Sequence, residues 1–222
     1  MKILLIDTCG KQGSVAIADS TQILAQTILP DRTASERVVA ATRSLLDEAA
    51  WKPADLEAIA VVTGPGSFTG VRVGLSAAMG LSEATGVPVV SISRLALLAA
   101  AAHAKDIEVC ALFDAGRKEF YCGRYRNESC LEESILTLPE TLAVASSAGL
   151  VIACEPSVID TLSLSGFATP ATLVDEPTAA AALPFALRST LHSSYGALPL
   201  EANYLRKTDA EIFAKPTPPA TP

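Results

Sequence analysis

Aromatic side chains are scarce in this 222-residue chain, at 5% of residues, and only two histidines, His103 and His192, are present. With so few rings the core must be aliphatic and alanine-rich. The histidines are far apart and form neither a His-x₃-His nor an HExxH pair, so no helix-borne metal site is indicated. The five cysteines, at 9, 110, 122, 130 and 154, are odd in number and lack CxxC spacing. That argues against a disulfide framework or a zinc cluster and for small buried hydrophobes. Basic residues are outnumbered 17 to 24, giving a net charge of −7, so the chain is not built to grip nucleic acid alone. Apolar runs are short: the longest, 95–102, is mostly alanine and precedes His103 and Lys105, well under the roughly 20 residues a bilayer span needs. The opening MKILLI meets Asp7 too early for a signal peptide, and a cytoplasmic chain with no membrane partner is the expectation.

What is present is ample core material. Hydrophobic residues make up 50% of the chain and charged ones 18%, which excludes global disorder. Residues 2–8 form a nearly continuous apolar run, as in a strand covered on both faces, and 14–18 and 22–29 continue a three-strand meander. Thr33 with Glu36 reads as a capping box opening a helix to about residue 50, with an apolar stripe through Val38, Ala41, Leu45 and Ala49. A strand at 56–63, a helix at 71–85 stopped by Gly86, a strand at 89–92 and a helix at 94–104 follow.

The second half repeats this order. Strands at 108–114, 119–125 and 131–138 precede a helix at 139–147, a strand at 150–154, a helix at 156–162, a strand at 171–174 and a last helix at 178–191. The expected class is α/β, with two ribonuclease H-like lobes packed as in the actin/Hsp70 ATPase (ASKHA) superfamily. The lobes are expected at 1–104 and 105–213, and the proline-rich 214–222 as a disordered tail.

Three features bear on chemistry. Residues 64–74, GPGSFTGVRVG, run from a strand end into a helix, where backbone amides and the helix dipole suit an anion. No Gly-Lys-Ser/Thr follows, so the segment is not a P-loop, and its glycines are equally explained by close packing. Gly70, Gly74 and Ala78 are spaced by four, beside Leu81. Helical glycine costs about 1 kcal/mol against alanine, so a close contact should offset it, either within the chain or with another helix. Asp7 and Asp114 each end the first strand of a half; Asp7 with Thr8 precedes a glycine-containing turn, a possible phosphate-proximal arrangement or simply a turn cap.

The 64–74 segment closely resembles the hallmark of the TsaB (YeaZ) family. Ile6-Asp7-Thr8 with Ser14-Val15-Ala16, Ser35-Glu36-Arg37, Asp114-Ala115 through Tyr121, and Asn203-Tyr204-Leu205-Arg206 are similar to other parts of that family, although Ala34 stands where it usually has histidine. The resemblance implies a non-catalytic subunit for N6-threonylcarbamoyladenosine formation at position 37 of ANN-decoding tRNAs. The transferase of that system, TsaD, carries a His-x₃-His metal pair on its first helix, and TsaE is its ATPase. TsaB-like chains lack the pair, bind TsaD and help recruit TsaE.

It also implies pairing, with TsaD or as a homodimer in its absence, through the first two helices as a four-helix bundle. Val38, Leu45, Gly70, Gly74, Ala78 and Leu81 are then expected in or beside the partner interface. No catalytic or metal-binding residue is expected in the chain, and no cofactor bound by it alone; ATP and Mg²⁺ belong to the complex, which is also the route to tRNA. The rival reading is a stand-alone ATPase or small-molecule kinase of the same superfamily, using Asp7 and Asp114.

Overall fold

A computed structural model describes residues 1–190 and 201–205. The first sheet holds β1 (Ile3–Asp7), β2 (Gly13–Ala18), β3 (Ile23–Leu29), β4 (Ala58–Val62) and β5 (Val89–Ile92), in the order β3-β2-β1-β4-β5. The meander is antiparallel, while β4 and β5 run parallel to β1. The second sheet holds β6 (Glu108–Gly116), β7 (Glu119–Arg126), β8 (Ser129–Thr137), β9 (Leu150–Ala153) and β10 (Ala171–Leu173), ordered β10-β9-β6-β7-β8. Its directions repeat those of the first sheet, with β6 in the place of β1. This is the duplicated ribonuclease H-like topology, an α/β fold of the two-lobed ASKHA type.

Both central strands, ILLID of β1 and AIAVV of β4, are buried at every residue, because helices lie on each face of the sheet. Helices α1 (Ala34–Glu48) and α2 (Phe68–Thr85) cover one face. The other face is covered by a 3₁₀ turn at Ala179–Ala182 and by α6 (Leu183–Thr190), whose Ala182, Leu183 and Ala186 join the core of β1, β2 and β4. Ser14 of β2 fixes this contact, its Oγ accepting from the Ala179 amide at 2.8 Å.

Helix α3 (Arg94–Ala100) lies between the sheets. Leu97 packs into the first core, whereas Leu95, Leu98 and Ala99 pack against Val109, Ala111, Phe113 and Tyr125 of the second. Cys110, Leu112 and Cys122 alternate to the opposite face, under α4 (Leu138–Ser147) and α5 (Pro156–Leu164). Full burial of one such Leu or Phe is worth about 1.5–3 kcal/mol. Each half of the chain thus supplies a helix to the other half's sheet. The stretch 179–190, expected with the second lobe, therefore packs on the first, because its alanines and Leu183 complete the face that α1 and α2 leave open.

Local expectations are corrected at several ends. Thr33 precedes α1 without capping it, because its Oγ donates to the Pro30 carbonyl at 2.8 Å. A capping box forms instead at α4, where Glu140 Oε2 accepts from the Thr137 amide at 2.8 Å and from its hydroxyl. Helix α2 starts at Phe68 rather than 71, since the Ser67 hydroxyl accepts from the Gly70 amide at 3.2 Å and adds a first turn. Arg117 and Lys118 both adopt left-handed backbone, closing the β6–β7 hairpin after Gly116. The expected tail at 214–222, together with Arg206 and His192, lies outside the described residues.

Candidate functional site

Two regions collect the residues singled out by the sequence: the helix pair α1–α2 and the cleft between the sheets. The link between them is the 64–74 segment. Gly64 is required by its positive φ, and Gly66, Gly70 and Gly74 by the close approach of Thr8 and Cys9, just past the end of β1. A Cβ on Gly74 would meet Thr8 Oγ1 at 2.5 Å, and one on Gly70 would meet the Thr8 carbonyl at 2.0 Å. The Thr8 hydroxyl donates to the Gly70 carbonyl at 2.6 Å. The contact that offsets the glycine cost is therefore between α2 and the end of β1, inside the chain.

This placement bears on the expected partner interface. Val38, Leu45, Gly70, Gly74 and Ala78 are buried beneath the two helices, and Leu81 is half-buried. Leu45, Gly70, Gly74 and Ala78 therefore back the helix pair rather than form its outward face, while Val38 lines the groove between the helices and Leu81 keeps part of its surface accessible. That face is built from residues the small-residue spacing did not mark. Val39 is 69% exposed, Met79 53% and Phe68 45%. A groove of about 530 Å³ runs between the helices, lined by Val39, Phe68, Arg72, Val73 and Ala77 among others.

The rim of this groove is held by the C-terminal segment 201–205. The Arg72 guanidinium carbon lies 3.4 Å from the centroid of Phe68, and its Nε donates to the Tyr204 hydroxyl at 3.0 Å. Phe68 and Tyr204 are tilted rings 5.6 Å apart. Asn203 anchors the segment, its amide donating to the Thr63 carbonyl at 2.8 Å and its side chain to Glu133 Oε2 at 2.5 Å. Glu133 of β8 also accepts from the hydroxyls of Ser93, which caps α3, and of Tyr125 in β7. One carboxylate so joins the first lobe, the second lobe and the C-terminal segment. In the sequence, Arg72 and Asn203-Tyr204-Leu205 carried only the family resemblance, and Glu132-Glu133 reads there as a solvated face, which the three bonds to Glu133 correct.

The cleft is a cavity of about 610 Å³ enclosed by the β1–β2 turn, the start of α2, Arg94, and the ends of β6 and β9. Thr8 and Asp114 line it, whereas Asp7 is buried beneath it, with Oδ1 accepting from the Cys9 amide at 2.9 Å. Burial pushes the Asp7 carboxyl above its usual range, against the pull of Arg94 and the Cys9 amide. Asp114 is exposed; its Oδ1 accepts from the Gly116 amide at 2.7 Å, and its own amide donates to Glu155 at 2.6 Å. Burial raises Glu155 as well, with the Asp114 amide opposing. The two aspartates thus come to one cleft, but only Asp114 presents its carboxylate to it, and the Thr8 hydroxyl is committed to α2. Among the described residues, no group of three or more His, Cys, Asp or Glu is placed to hold a metal ion, and no helix is long and apolar enough to cross a membrane.

Comparison with known proteins places this geometry in a family. The family model described as TsaD, tRNA N6-adenosine threonylcarbamoyltransferase, matches residues 22–195. The tRNA threonylcarbamoyladenosine biosynthesis protein TsaB of Bacillus subtilis (strain 168) is 34% identical over 137 residues, which cover 61% of this chain and 60% of that protein. The match thus spans about three fifths of the curated relative's length. Among solved structures, YeaZ from Pseudomonas aeruginosa superposes with a TM-score of 0.72 at 27% identity, covering 90% of this chain and 98% of that one. An uncharacterised Pseudomonas aeruginosa protein with similarity to peptidase YeaZ gives a TM-score of 0.76 at 28% identity, covering 92% and 99%. Fold, glycine-rich segment and relatives agree: the chain belongs to the family that the TsaD model describes and, within it, to the TsaB (YeaZ) group.

Proposed function

We propose that this chain acts in the formation of N6-threonylcarbamoyladenosine at position 37 of tRNA as a non-catalytic subunit that binds and activates a TsaD-type transferase. The observation that carries the reading is the outward face of α1 and α2, where Val39, Phe68 and Met79 are exposed on a lobe whose other large apolar residues are mostly buried. Such a patch is a site for another protein surface. The curated relatives are named for this biosynthesis, and the matching family model is that of the transferase itself. A partner of the same fold would present an equivalent helix pair, so that two like faces meet around a pseudo-two-fold axis. In the absence of that partner, a second copy of the chain would occupy the same face.

The donor set supports a division of labour. Helix α1, ASERVVAATRSLLDE, contains no histidine, so the metal pair that the resemblance assigns to the transferase's first helix does not fit here. The net charge of −7 favours tRNA contact through the complex rather than through this chain. ATP and Mg²⁺ then enter with the ATPase partner TsaE, in the cytoplasm.

Reconstitution tests this reading. The modified adenosine should form when the chain is mixed with TsaD, TsaE, tRNA and the activated threonylcarbamoyl donor's precursors, and should not form when the chain is omitted. Val39→Asp with Met79→Asp should abolish co-elution with TsaD and lower the yield by an order of magnitude or more while the fold persists. Unchanged association would overturn the docking face, and modification by the isolated chain would overturn the non-catalytic role. The cleft, with Asp114, Lys11 and Gly10 on its walls, sustains a second reading as a stand-alone ATPase or small-molecule kinase. Steady ATP turnover by the chain alone would favour it.

A further inference from the structure

Beneath α4 and α5 two cysteines meet across a hairpin. Cys110 of β6 stands opposite Arg124 of β7, and Cys122 of β7 stands opposite Leu112 of β6. The two are therefore diagonal neighbours on one face of the sheet. Their sulfurs are 3.6 Å apart, one thiol donating to the other. Both are free and fully buried, in a core shared with Ala145, Val158 and Leu162. The contact with Cys122, and burial, hold the Cys110 thiol above its ordinary range, so the closed fold keeps it protonated and unreactive. The other three cysteines are placed elsewhere. Cys9 belongs to the first core, and Cys154 packs on the opposite face of the second sheet. Cys130 stands opposite Tyr125, whose ring lies on that opposite face.

We propose that Cys110 and Cys122 form a reversible disulfide that fastens the β6–β7 hairpin when small disulfides around the chain outweigh small thiols. Sulfurs in a disulfide are about 2 Å apart, so closure asks this pair to approach by about 1.5 Å. The oxidant is a low-molecular-weight disulfide such as oxidised glutathione, and the exchange takes two steps. One protein thiolate attacks the oxidant, displacing one glutathione and leaving a mixed disulfide. The second protein thiolate attacks the protein sulfur of that bond and displaces the other glutathione. Two electrons and two protons thus leave the pair on two glutathione thiols. The route in is the layer above. Helix α4 has ten residues and α5 nine, lengths at which a helix owes its stability to packing. Both thiols are open to the oxidant while the chain folds or while these helices are lifted, and closure of the layer then shields the bond. The bond closes a ring from 110 to 122 that contains Asp114 and the Gly116-Arg117-Lys118 turn, so one wall of the cleft gains a covalent clasp. Where thiols are kept reduced, the pair remains a dithiol.

The proposal is independent of the docking face and is tested on the whole chain, refolded from urea in graded ratios of reduced to oxidised glutathione. Free thiols are then blocked with N-ethylmaleimide, and the protein is digested with trypsin without reduction. Cutting at Lys105, Arg117, Lys118 and Arg124 places Cys110 in 106–117 and Cys122 in 119–124. These two peptides should be recovered linked from most of the chain at oxidising ratios, and should separate on reduction. Amide exchange in β6 and β7 should slow about tenfold in the linked form. Cys122→Ala should abolish both the link and the slowing; should that variant not fold, the parent's peptides still decide. Three results would overturn the disulfide: blocked, separate peptides at every ratio; single glutathione adducts on either cysteine; or Cys130 joined to either as often as they join each other. A link without slower exchange would overturn the fastening.

Discussion

The hydroxyl of Thr8 donates to the carbonyl of Gly70 at 2.6 Å, joining residues 62 positions apart. Through this bond α2 lies directly against the end of β1, and the glycines of the 64–74 segment become intelligible. The role of Gly70 and Gly74 is to let a helix backbone approach a strand end.

That arrangement separates three substitutions in one helix. Gly80 has nothing within 4 Å of a built Cβ, so Gly80→Ala should stabilise the chain by about 1 kcal/mol through helix propensity. Gly74→Ala places a methyl 2.5 Å from Thr8 Oγ1 and should destabilise by about 1–3 kcal/mol. Adding Thr8→Ala to Gly74→Ala should cost less than the sum of the two single changes, because they share one contact. Gly70→Ala meets backbone, the Thr8 carbonyl at 2.0 Å, and should not be rescued this way. Urea denaturation of each variant checks all of these.

Glu133 is the acceptor for Ser93, Tyr125 and Asn203. Glu133→Leu leaves these donors without their acceptor and should cost about 2–3 kcal/mol. It should also free the 201–205 segment, so limited proteolysis should cut there faster in the variant than in the parent. Equal cutting rates with equal stability would show that the carboxylate does not anchor the segment.

The pH response of Asp7 has a definite sign. Burial raises its folded-state value above the ordinary carboxylate value of 3.8, so the folded chain holds this proton more tightly than the unfolded one. Stability from this group is therefore present at acid pH and lost as pH rises through the window above 3.8. Asp7→Asn should flatten that part of the curve and gain on the parent as pH rises above 3.8. Denaturation of both chains across that range reads the difference; a parallel pair of curves would contradict the assignment.

The cysteines should react in order of exposure. Cys130 is exposed, Cys154 is half-buried with its thiol pushed up to about 12 by burial, and Cys9, Cys110 and Cys122 are buried. A disulfide reagent added to the native chain should therefore label Cys130 first and Cys154 slowly. The other three should be labelled only on unfolding.

Much of the architecture was legible because local patterns report it. The continuous apolar runs of β1 and β4 announce strands with both faces covered, and the β-branched and turn residues place the meanders. The repeat of strand order in the two halves followed from the same patterns. Other features were not legible. An alanine- and leucine-rich α3 reads as buried, but nothing in its period tells that Leu97 faces one sheet and Leu95 and Leu98 the other. The Thr33 capping motif was misleading because its hydroxyl found Pro30 first. Val39 sits next to the apolar stripe of Val38, Ala41 and Leu45, yet it is the most exposed large apolar residue of α1.

The sequence by itself determined the strands, the helices and their duplicated order, since these depend on residue periodicity and backbone freedom over short spans. Only the tertiary structure decided what each glycine faces, which apolar residues remain outside, and that Arg94 and Glu176 meet over Gly10. Those outcomes depend on contacts between residues tens of positions apart. Periodicity records which side of an element is apolar, but the element packed against that side is set by how the two sheets close on the helices between them.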